Sequence, residues 1–439
     1  MVGRLGYLLV FACAVAFALP GAGVATNSPN MRLDYSLIDT TSSRTHSDIA
    51  FWGNIGVSGN YDGFRVFDTS TGQLRVSFLC RGPQNDVSLW EHNGRLLLFQ
   101  SVDRPQTNGE TVCSQNRSSD TTACGTACFE GLRIFDLSDP TQPVYLKGVY
   151  TDCGSHTHTL VPDLANNRLL FYISSYPGST GPRCQPPFRK ISIVQVPLDA
   201  PEASSVLSQP ALTTTVPGCH DITVFLAIHK AAASCDTEGQ LWDITDPANP
   251  GTLNPVHIDN GGVNYWHSAA FTWDGQYVVY MDESFTGSCQ PNGDGKIRIY
   301  RVNDAVLMSS FMIPRPQGTY CSVHNGNIIP VNGRYLLAAA WYGGGTSVVD
   351  FTNPAAPTEI AFYDATGSPL PSDAWSSYWY NGKIYANDIE RGTDVFNIVT
   401  PVNRWAQTWT HLNAQTQEDL LQPSIADARP LARLKPARY

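Results

Sequence analysis

Charged residues are scarce in this chain, and its long apolar stretch is confined to the first 25 residues. Only 15% of the 439 residues are Asp, Glu, Lys or Arg. After residue 25, no apolar run is long enough to cross a membrane as a helix. The motifs G-x-S-x-G, G-x-x-x-x-G-K-[ST] and G-x-G-x-x-G are missing, so the sequence lacks the usual signatures of α/β-hydrolases and of nucleotide-binding folds.

The charge balance and the N-terminus bear on location and partners. The net charge is −10, which disfavours a nucleic-acid partner because phosphates would be repelled. Arg4 precedes an apolar stretch from Leu8 to Leu19. The segment Gly23-Val24-Ala25 then offers the small residues that a signal-peptide cleavage site requires. This pattern is typical of a signal peptide over residues 1–25. We therefore expect a secreted or cell-envelope protein, without a transmembrane segment and monomeric.

Glycine and proline are abundant, with 36 and 30 residues, which favours an all-β protein with many tight turns. Seven times along the chain, a short segment that begins with polar residues or histidine leads into an apolar strand; this recurring segment is here called a head. The seven heads are HSDIAFW from His46, QNDVSLW from Gln84, HTHTLVP from His156, CHDITVF from Cys219, YWHSAAF from Tyr265, HNGNIIP from His324 and DAWSSYW from Asp373.

Each head is followed by further short strands, and such repeats of roughly 40 residues indicate a propeller or a solenoid. We predict one seven-bladed β-propeller over residues 26–413, followed by a flexible tail over 414–439. The last repeat has no outer strand after it, so residues 31–40 are predicted to complete that blade and close the ring. The outer strand of the third repeat is predicted at 212–216.

The third strands carry a pattern of their own, L-x-I-x-D-x-S-x-P-x-x-P. It is fullest in GLRIFDLSDPTQP (131–143) and GQLWDITDPANP (239–250). The pattern resembles the LVIVD-repeat family of exported β-propellers. This resemblance implies the architecture and says little about activity, because propellers host many functions. The Asp that follows each apolar run, such as Asp136 or Asp243, is expected to cap the next turn.

Eleven cysteines are present, and removal of the signal peptide with Cys13 would leave ten. An even number in an exported chain predicts disulfides, although Cys124-x3-Cys128 also permits a zinc site. All ten are expected on one rim of the propeller. The predicted pairs are Cys153 with Cys184, Cys219 with Cys235, Cys289 with Cys321, and Cys80 with one of Cys113, Cys124 and Cys128, the other two pairing together.

The heads precede the innermost strands, so they are expected to gather at one mouth of the central channel. Imidazole is the commonest protein ligand for transition metals, and three or four histidines suit Fe, Cu or Zn. His158, His220, His267 and His324 come from four consecutive repeats and are predicted to hold such an ion. His156 is an alternative to His158, because strand alternation turns only one of them inward. The carboxylates predicted to orient the rings are Asp86, Asp221, Asp282 and Glu283.

Two functions remain open from the sequence. A metal at the channel mouth would suit an oxidoreductase or a hydrolase acting on a small molecule. The alternative is a non-catalytic extracellular scaffold that binds a glycan or a protein on the disulfide-linked rim. The polar heads have a structural interpretation as well, since Asp48, Asp86 and Asp221 could serve only to hydrogen-bond neighbouring blades and channel water. Whether the protein is an enzyme is not decided by any motif.

Overall fold

Short antiparallel strands make up nearly all of the regular structure in the computed structural model of this protein. Each repeat contains runs of β-branched and aromatic residues, separated by Gly, Asn and Asp at the turns, and such runs favour strands. The structure describes residues 26–39, 45–107, 113, 128–175, 189–213, 218–258, 263, 265–284, 294–315, 320–365, 372–399 and 402–421.

The strands are numbered along the chain and fall into four positions within the repeats. The first strands of the repeats are β3 (His46–Trp52), β7 (Val87–His92), β11 (Thr157–Asp163), β15 (Asp221–Phe225), β19 (Trp266–Phe271), β23 (Ser322–Ile329) and β27 (Ala374–Tyr380). The second strands are β4 (Ile55–Asn60), β8 (Arg95–Thr107), β12 (Arg168–Ser174), β16 (Lys230–Cys235), β20 (Tyr277–Asp282), β24 (Leu336–Tyr342) and β28 (Lys383–Asp388).

The third and fourth strands follow in the same order. The third strands are β5 (Gly63–Asp68), β9 (Cys128–Asp136), β13 (Ser192–Pro197), β17 (Glu238–Asp243), β21 (Ile297–Arg301), β25 (Gly345–Asp350) and β29 (Gly392–Ile398). The fourth strands are β6 (Leu74–Leu79), β10 (Val144–Tyr150), β14 (Ser205–Ser208), β18 (Val256–Ile258), β22 (Val306–Phe311), β26 (Thr358–Asp364) and β2 (Met31–Ile38). The other elements within the described residues are β1 (Thr26–Asn27), β30 (His411–Leu412), β31 (Thr416–Gln417), the helix α1 (Val402–Trp405) and short 3-10 turns at Leu164–Asn166, Pro201–Ala203 and Leu226–Ile228.

These strands form small sheets that are consistent with a propeller-like, all-β fold. Within each repeat the four strands pair in antiparallel order. The sixth and seventh repeats are joined into one nine-stranded sheet, because β23 and β27 also pair in parallel over two residues. The outer strand of the third sheet is β14, which lies before the predicted position at 212–216.

The N-terminal strand β2 pairs with β29, the third strand of the last repeat. The ladder runs antiparallel from Met31 opposite Ile398 to Ile38 opposite Gly392. Met31 and Leu37 point into the protein and are buried, while the residues between them are mostly exposed or half-buried. The segment predicted to supply the missing outer strand therefore does pair where the last repeat lacks one.

The first strands are almost fully buried and contact one another in succession. Contacts join β3 to β7, β11 to β15, β15 to β19, β19 to β23, β23 to β27, and β27 back to β3. Between β7 and β11 the link is the hydrogen bond of Ser88 with His158. Apolar side chains fill the space between neighbouring sheets. The largest of the fully buried side chains are Trp242, Trp266, Trp341 and Trp379.

The Asp residue that ends a third strand caps the following turn, as the sequence pattern predicts. The carboxylates of Asp68, Asp136, Asp243 and Asp350 each accept a hydrogen bond from the backbone N–H two residues later, at 2.8–2.9 Å. This arrangement is an Asx turn, and it explains why the motif places Asp at the end of the apolar run.

Residues 402–421 form a segment, here called the C-terminal strap, that crosses the ends of the first strands. Within it, β30 pairs with β3 and β31 pairs in parallel with β15. Its side chains bond the backbone of other first strands: Asn413 binds both backbone groups of Leu89, Thr416 donates to the carbonyl of Leu160, and Gln417 binds both backbone groups of Phe271. Gln407 N–H donates to the carbonyl of Pro330, and Trp379 Nε1 donates to Asn403.

The strap therefore contacts all seven repeats. Its residues 414–421 were predicted to belong to the flexible tail, but Gln415, Thr416 and Gln417 are buried. In this segment, Asn, Gln and Thr side chains form hydrogen bonds with backbone groups of the first strands. Because the same residue types are common in solvated tails, the composition of the segment did not indicate that it is ordered. Residues 422–439 lie outside the described part of the chain.

Two of the predicted disulfides lie within the described residues. Cys219 is bonded to Cys235, and Cys80 to Cys113, which selects one of the three partners left open for Cys80. Cys153 and Cys321 are also disulfide-bonded, while Cys184 and Cys289, their predicted partners, lie outside the described residues. The same holds for the side chains of Cys124 and Cys128, and for residues 1–25. In the described part of the chain, no helix is both long and apolar enough to cross a membrane.

Candidate metal centre

Four histidines from consecutive repeats form a buried row, here called the histidine row. It consists of His156, His220, His267 and His324, and the centroids of successive rings lie 4.2, 4.0 and 3.8 Å apart. None of the four is more than 7% exposed. His156 and His220 directly precede β11 and β15, and the other two lie in β19 and β23. The first strands thus bring to one place the histidines that begin their repeats.

The histidine row lines a small cavity. The free volume in which the centre of a water-sized sphere fits is about 10 Å³, enough for a single water molecule or an ion of similar size. The other residues that line the cavity are Asp48, Gln84, Asp86, Thr157, Asn325 and Trp375. A cavity of this size suits an ion better than an organic substrate.

Hydrogen bonds to backbone carbonyls set the protonation of two rings in the row. His220 Nδ1 lies 3.2 Å from the carbonyl oxygen of His267, and His324 Nδ1 lies 2.6 Å from that of Trp375. A carbonyl oxygen only accepts hydrogen bonds, so each Nδ1 carries the proton and each Nε2 carries a lone pair. The same second-shell arrangement orients metal-bound histidines in proteins.

Glu283 lies between the last two histidines of the row. Its two carboxylate oxygens are 3.8 Å from His267 Nε2 and from His324 Nε2, respectively, and all three residues offer ligand atoms within 4.8 Å of one another. Burial, with the nearby Asp221 and Asp282, raises the pKa of Glu283 to about 8. Burial also lowers the pKa of His324 to about 3 and holds that of His267 well below its usual range. A bound cation would reverse the cost of ionising Glu283.

Asp221 lies against the middle of the row. Its carboxylate is 4.0 Å from His220 Nδ1, and His220, Asp221 and His267 form a second group whose ligand atoms lie within 4.8 Å of one another. The Thr157 hydroxyl lies beside this carboxylate and donates to the carbonyl of His220 at 2.8 Å. Burial raises the pKa of Asp221 to about 8.

His158, predicted as a ligand, lies away from the row. Its Nε2 is 2.7 Å from the hydroxyl of Ser88, its Nδ1 is 2.8 Å from that of Ser101, and Asp86 accepts its backbone N–H at 2.7 Å. Burial lowers the pKa of His158 to about 3, so the ring is neutral. The structure therefore brings His156, rather than His158, beside His220, and it uses both nitrogens of His158 for hydrogen bonds between repeats.

Replacing His158 with Ala is expected to destabilise the protein without changing its metal content. The substitution leaves a cavity and removes the ring that bonds the hydroxyls of Ser88 and Ser101, and we expect a loss of about 3 kcal/mol in the free energy of unfolding. Chemical denaturation and elemental mass spectrometry of the purified variant measure both quantities. A metal content that falls with intact folding would instead make His158 a ligand.

The remaining predicted carboxylate and one unpredicted residue complete the surroundings of the row. Asp282 Oδ2 lies 3.4 Å from Arg298 Nη2, so its nearest charged partner is an arginine rather than a histidine. Asp103, which was not among the predicted carboxylates, has its Oδ1 3.4 Å from His156 Nδ1. Although burial opposes it, the interaction with His156 holds the pKa of Asp103 below its usual range. Asp103 lies in β8, the second strand of its repeat, and Asp282 ends β20, the second strand of the fifth repeat. This correspondence between the two strands is the signal by which Asp103 could have been predicted.

No protein-family model matches the chain, and no curated protein matches it. Among solved structures it is similar to Raptor from Chaetomium thermophilum, with a TM-score of 0.52 and 12% identity over 86% of this chain and 30% of that one. It is also similar to a chain of the Mitotic Checkpoint Complex, with a TM-score of 0.50 and 9% identity over 91% and 99%. The computationally designed protein Ika8 has a TM-score of 0.45 and 13% identity over 81% and 97%. At these identities the likeness concerns the fold alone.

Proposed function

We propose that this chain is an exported, seven-bladed β-propeller of the LVIVD-repeat kind that carries a transition-metal ion at one mouth of its channel. Seven recurring heads, the succession of contacts among the first strands and the pairing of β2 with β29 support the closed ring. The disulfides support an oxidising compartment. The signal-like sequence over residues 1–25 supports export.

The main observation behind the metal proposal is that the carboxylate of Glu283 lies between two histidine rings. Two imidazoles and one carboxylate, His267, His324 and Glu283, form a donor set used for Fe, and N/O donors of this kind also suit Zn and Cu. His324 turns its Nε2 lone pair away from the carbonyl of Trp375 and is thereby ready to bind an ion. Without an ion, Glu283 is a buried carboxyl whose ionisation is costly.

The chemistry depends on which ion is bound. A redox-active ion in this place would support an oxidoreductase, while zinc would activate water for a hydrolase. Burial lowers the pKa of His220, His267 and His324 and keeps these rings neutral, so they add no positive charge that would compete with the ion for Glu283.

The metal content of the native protein tests the proposal. We expect about one equivalent of Fe, Cu or Zn per chain in protein exported by its host or refolded with its disulfides formed. The double variant His267→Ala/His324→Ala should lose the ion at this position, and Glu283→Gln should weaken it. Elemental mass spectrometry after desalting measures the content, and circular dichroism confirms that each variant is folded.

His257→Ala is the matched control, because His257 is an exposed histidine on an outer strand and its loss should leave the metal content unchanged. A native protein that holds no metal and takes up none on titration would contradict the proposal. In that case the non-catalytic scaffold, with its partner on the disulfide-linked rim, becomes the better account.

A further inference from the structure

A β-bulge interrupts the first strand β23 at the place where this strand lines the cavity. The ladder between β23 and β24 shifts its register between Val323 and Gly326. His324 and Asn325 there face a single residue of β24, and this two-against-one arrangement defines a bulge. In a regular strand, consecutive side chains point to opposite sides of the sheet. At the bulge, both His324 and Asn325 line the cavity.

Bulges lie at other cavity-lining residues of the first strands as well. The register shifts at His267 in β19, at Trp375 in β27 and around Asp48 in β3. All three residues line the cavity. Bulges change the direction of side chains and are frequent beside functional sites. Their recurrence here indicates that the first strands are shaped to present side chains to this cavity.

The backbone of Asn325 is fixed, while its side chain has no partner among the described residues. The backbone pairs with Ser376 of β27. At the next residue, Gly326, a Cβ atom would clash with the carbonyl oxygen of Ala338, so the chain is closely packed on that side. Asn325 is only 5% exposed, and no described residue forms a hydrogen bond with its side-chain amide. A buried amide without a partner costs about 1–3 kcal/mol, which an occupant of the cavity would offset.

We propose that the side-chain oxygen of Asn325 is a further ligand of the ion at His267, His324 and Glu283. The inference rests on the proposed function and extends its ligand set from three residues to four. A carboxamide oxygen binds hard cations and carries no charge, so it adds nothing to the negative charge of Glu283. Because the bulge presents Asn325 together with His324, the arrangement requires room for a single ion only.

The fourth ligand bears on which ion is held. Two imidazoles, one carboxylate and one carboxamide supply two nitrogen and two oxygen donors. Imidazole suits Fe and Zn, oxygen donors suit harder ions, and Cu(I) prefers sulfur. Among the ions of the proposed function, this ligand set therefore favours Fe(II) and Zn(II) and disfavours Cu(I).

Two substitutions of similar size separate the role of the oxygen from that of the side-chain shape. Asn325→Asp keeps an oxygen in the same place and adds a negative charge, whereas Asn325→Leu keeps the volume and removes the oxygen. The probe is Co(II), added to the metal-free protein in competition with a chelator of known affinity. We expect Asn325→Asp to bind Co(II) at least as tightly as the wild-type protein. Asn325→Leu should bind it about 10-fold or more weakly, since even the loss of an outer partner of a ligand has an effect of that size.

The visible absorption of bound Co(II) gives a second readout, because it reports the number and kind of ligands. It should change in Asn325→Leu, and circular dichroism verifies that each variant is folded. Unchanged affinity and an unchanged spectrum in Asn325→Leu would overturn the inference and leave the proposed function standing. Weaker binding by Asn325→Asp would also overturn it, and this comparison decides if Asn325→Leu does not fold. A wild-type protein that takes up no Co(II) would contradict the proposed function itself.

Discussion

A chain that ends at residue 401 is expected not to fold stably, because it lacks the C-terminal strap. Asn413 bonds the backbone N–H and C=O of Leu89, and Gln417 bonds those of Phe271. In addition, β30 pairs with β3 and β31 with β15. At about 1 kcal/mol for each net hydrogen bond, with the buried apolar area in addition, the loss is on the order of 5 kcal/mol or more. This equals the whole stability of many domains.

A chain that ends at residue 421 is the matched control, because it keeps the strap and removes only residues outside the described part. It should unfold at the same denaturant concentration as the full chain. The double variant Asn413→Ala/Gln417→Ala should lie between the two, with a loss of about 2–4 kcal/mol. If the chain ending at 401 unfolds together with the control, the strap contributes nothing to stability, and the hydrogen bonds to Leu89 and Phe271 are peripheral.

Removing the N-terminal strand is expected to have a comparably large effect and to cause association as well. A chain that begins at residue 40 loses β2, including the buried side chains of Met31 and Leu37. Each contributes roughly 1.5–3 kcal/mol on burial, and the ladder with β29 is lost in addition. The exposed edge of β29 would then be free to pair with another chain. Denaturation and analytical ultracentrifugation measure the two consequences.

The control for this deletion begins at residue 26, after the predicted signal peptide, and it should remain as stable as the processed protein. A synthetic peptide of residues 26–39 added to the shortened chain should restore the monomer, because it can refill the place beside β29. A shortened chain that stays monomeric and equally stable would show that β2 is an appendage rather than the completing strand of the last repeat.

The histidine row shows how far repeat alignment can lead. His220, His267 and His324 were predicted from their places in the heads, and they do lie in one row with ring centroids 4.0 and 3.8 Å apart. The choice between His156 and His158 depended on which residue of the third head turns inward. The alignment favoured His158, but serines on the neighbouring repeat take both of its ring nitrogens.

Residues that act through the backbone or from another repeat could not be predicted in the same way. The carbonyl of Trp375 sets the proton of His324, and a carbonyl belongs to every residue alike, so no side-chain pattern marks it. Asp103 reaches His156 from a different repeat. The C-terminal strap is composed of polar residues whose partners are backbone groups far away in sequence, and composition made it resemble a tail.

The sequence by itself determined the all-β class, the positions of the first strands and the turns capped by Asp, because each depends on residues close together in the chain. It also determined the segment that pairs with β29, since that segment was needed to fill one empty position. Only the tertiary structure decided which histidines meet, which protons their rings carry, and how residues 402–421 cross all seven repeats. Those properties depend on distances between repeats, which no local pattern encodes.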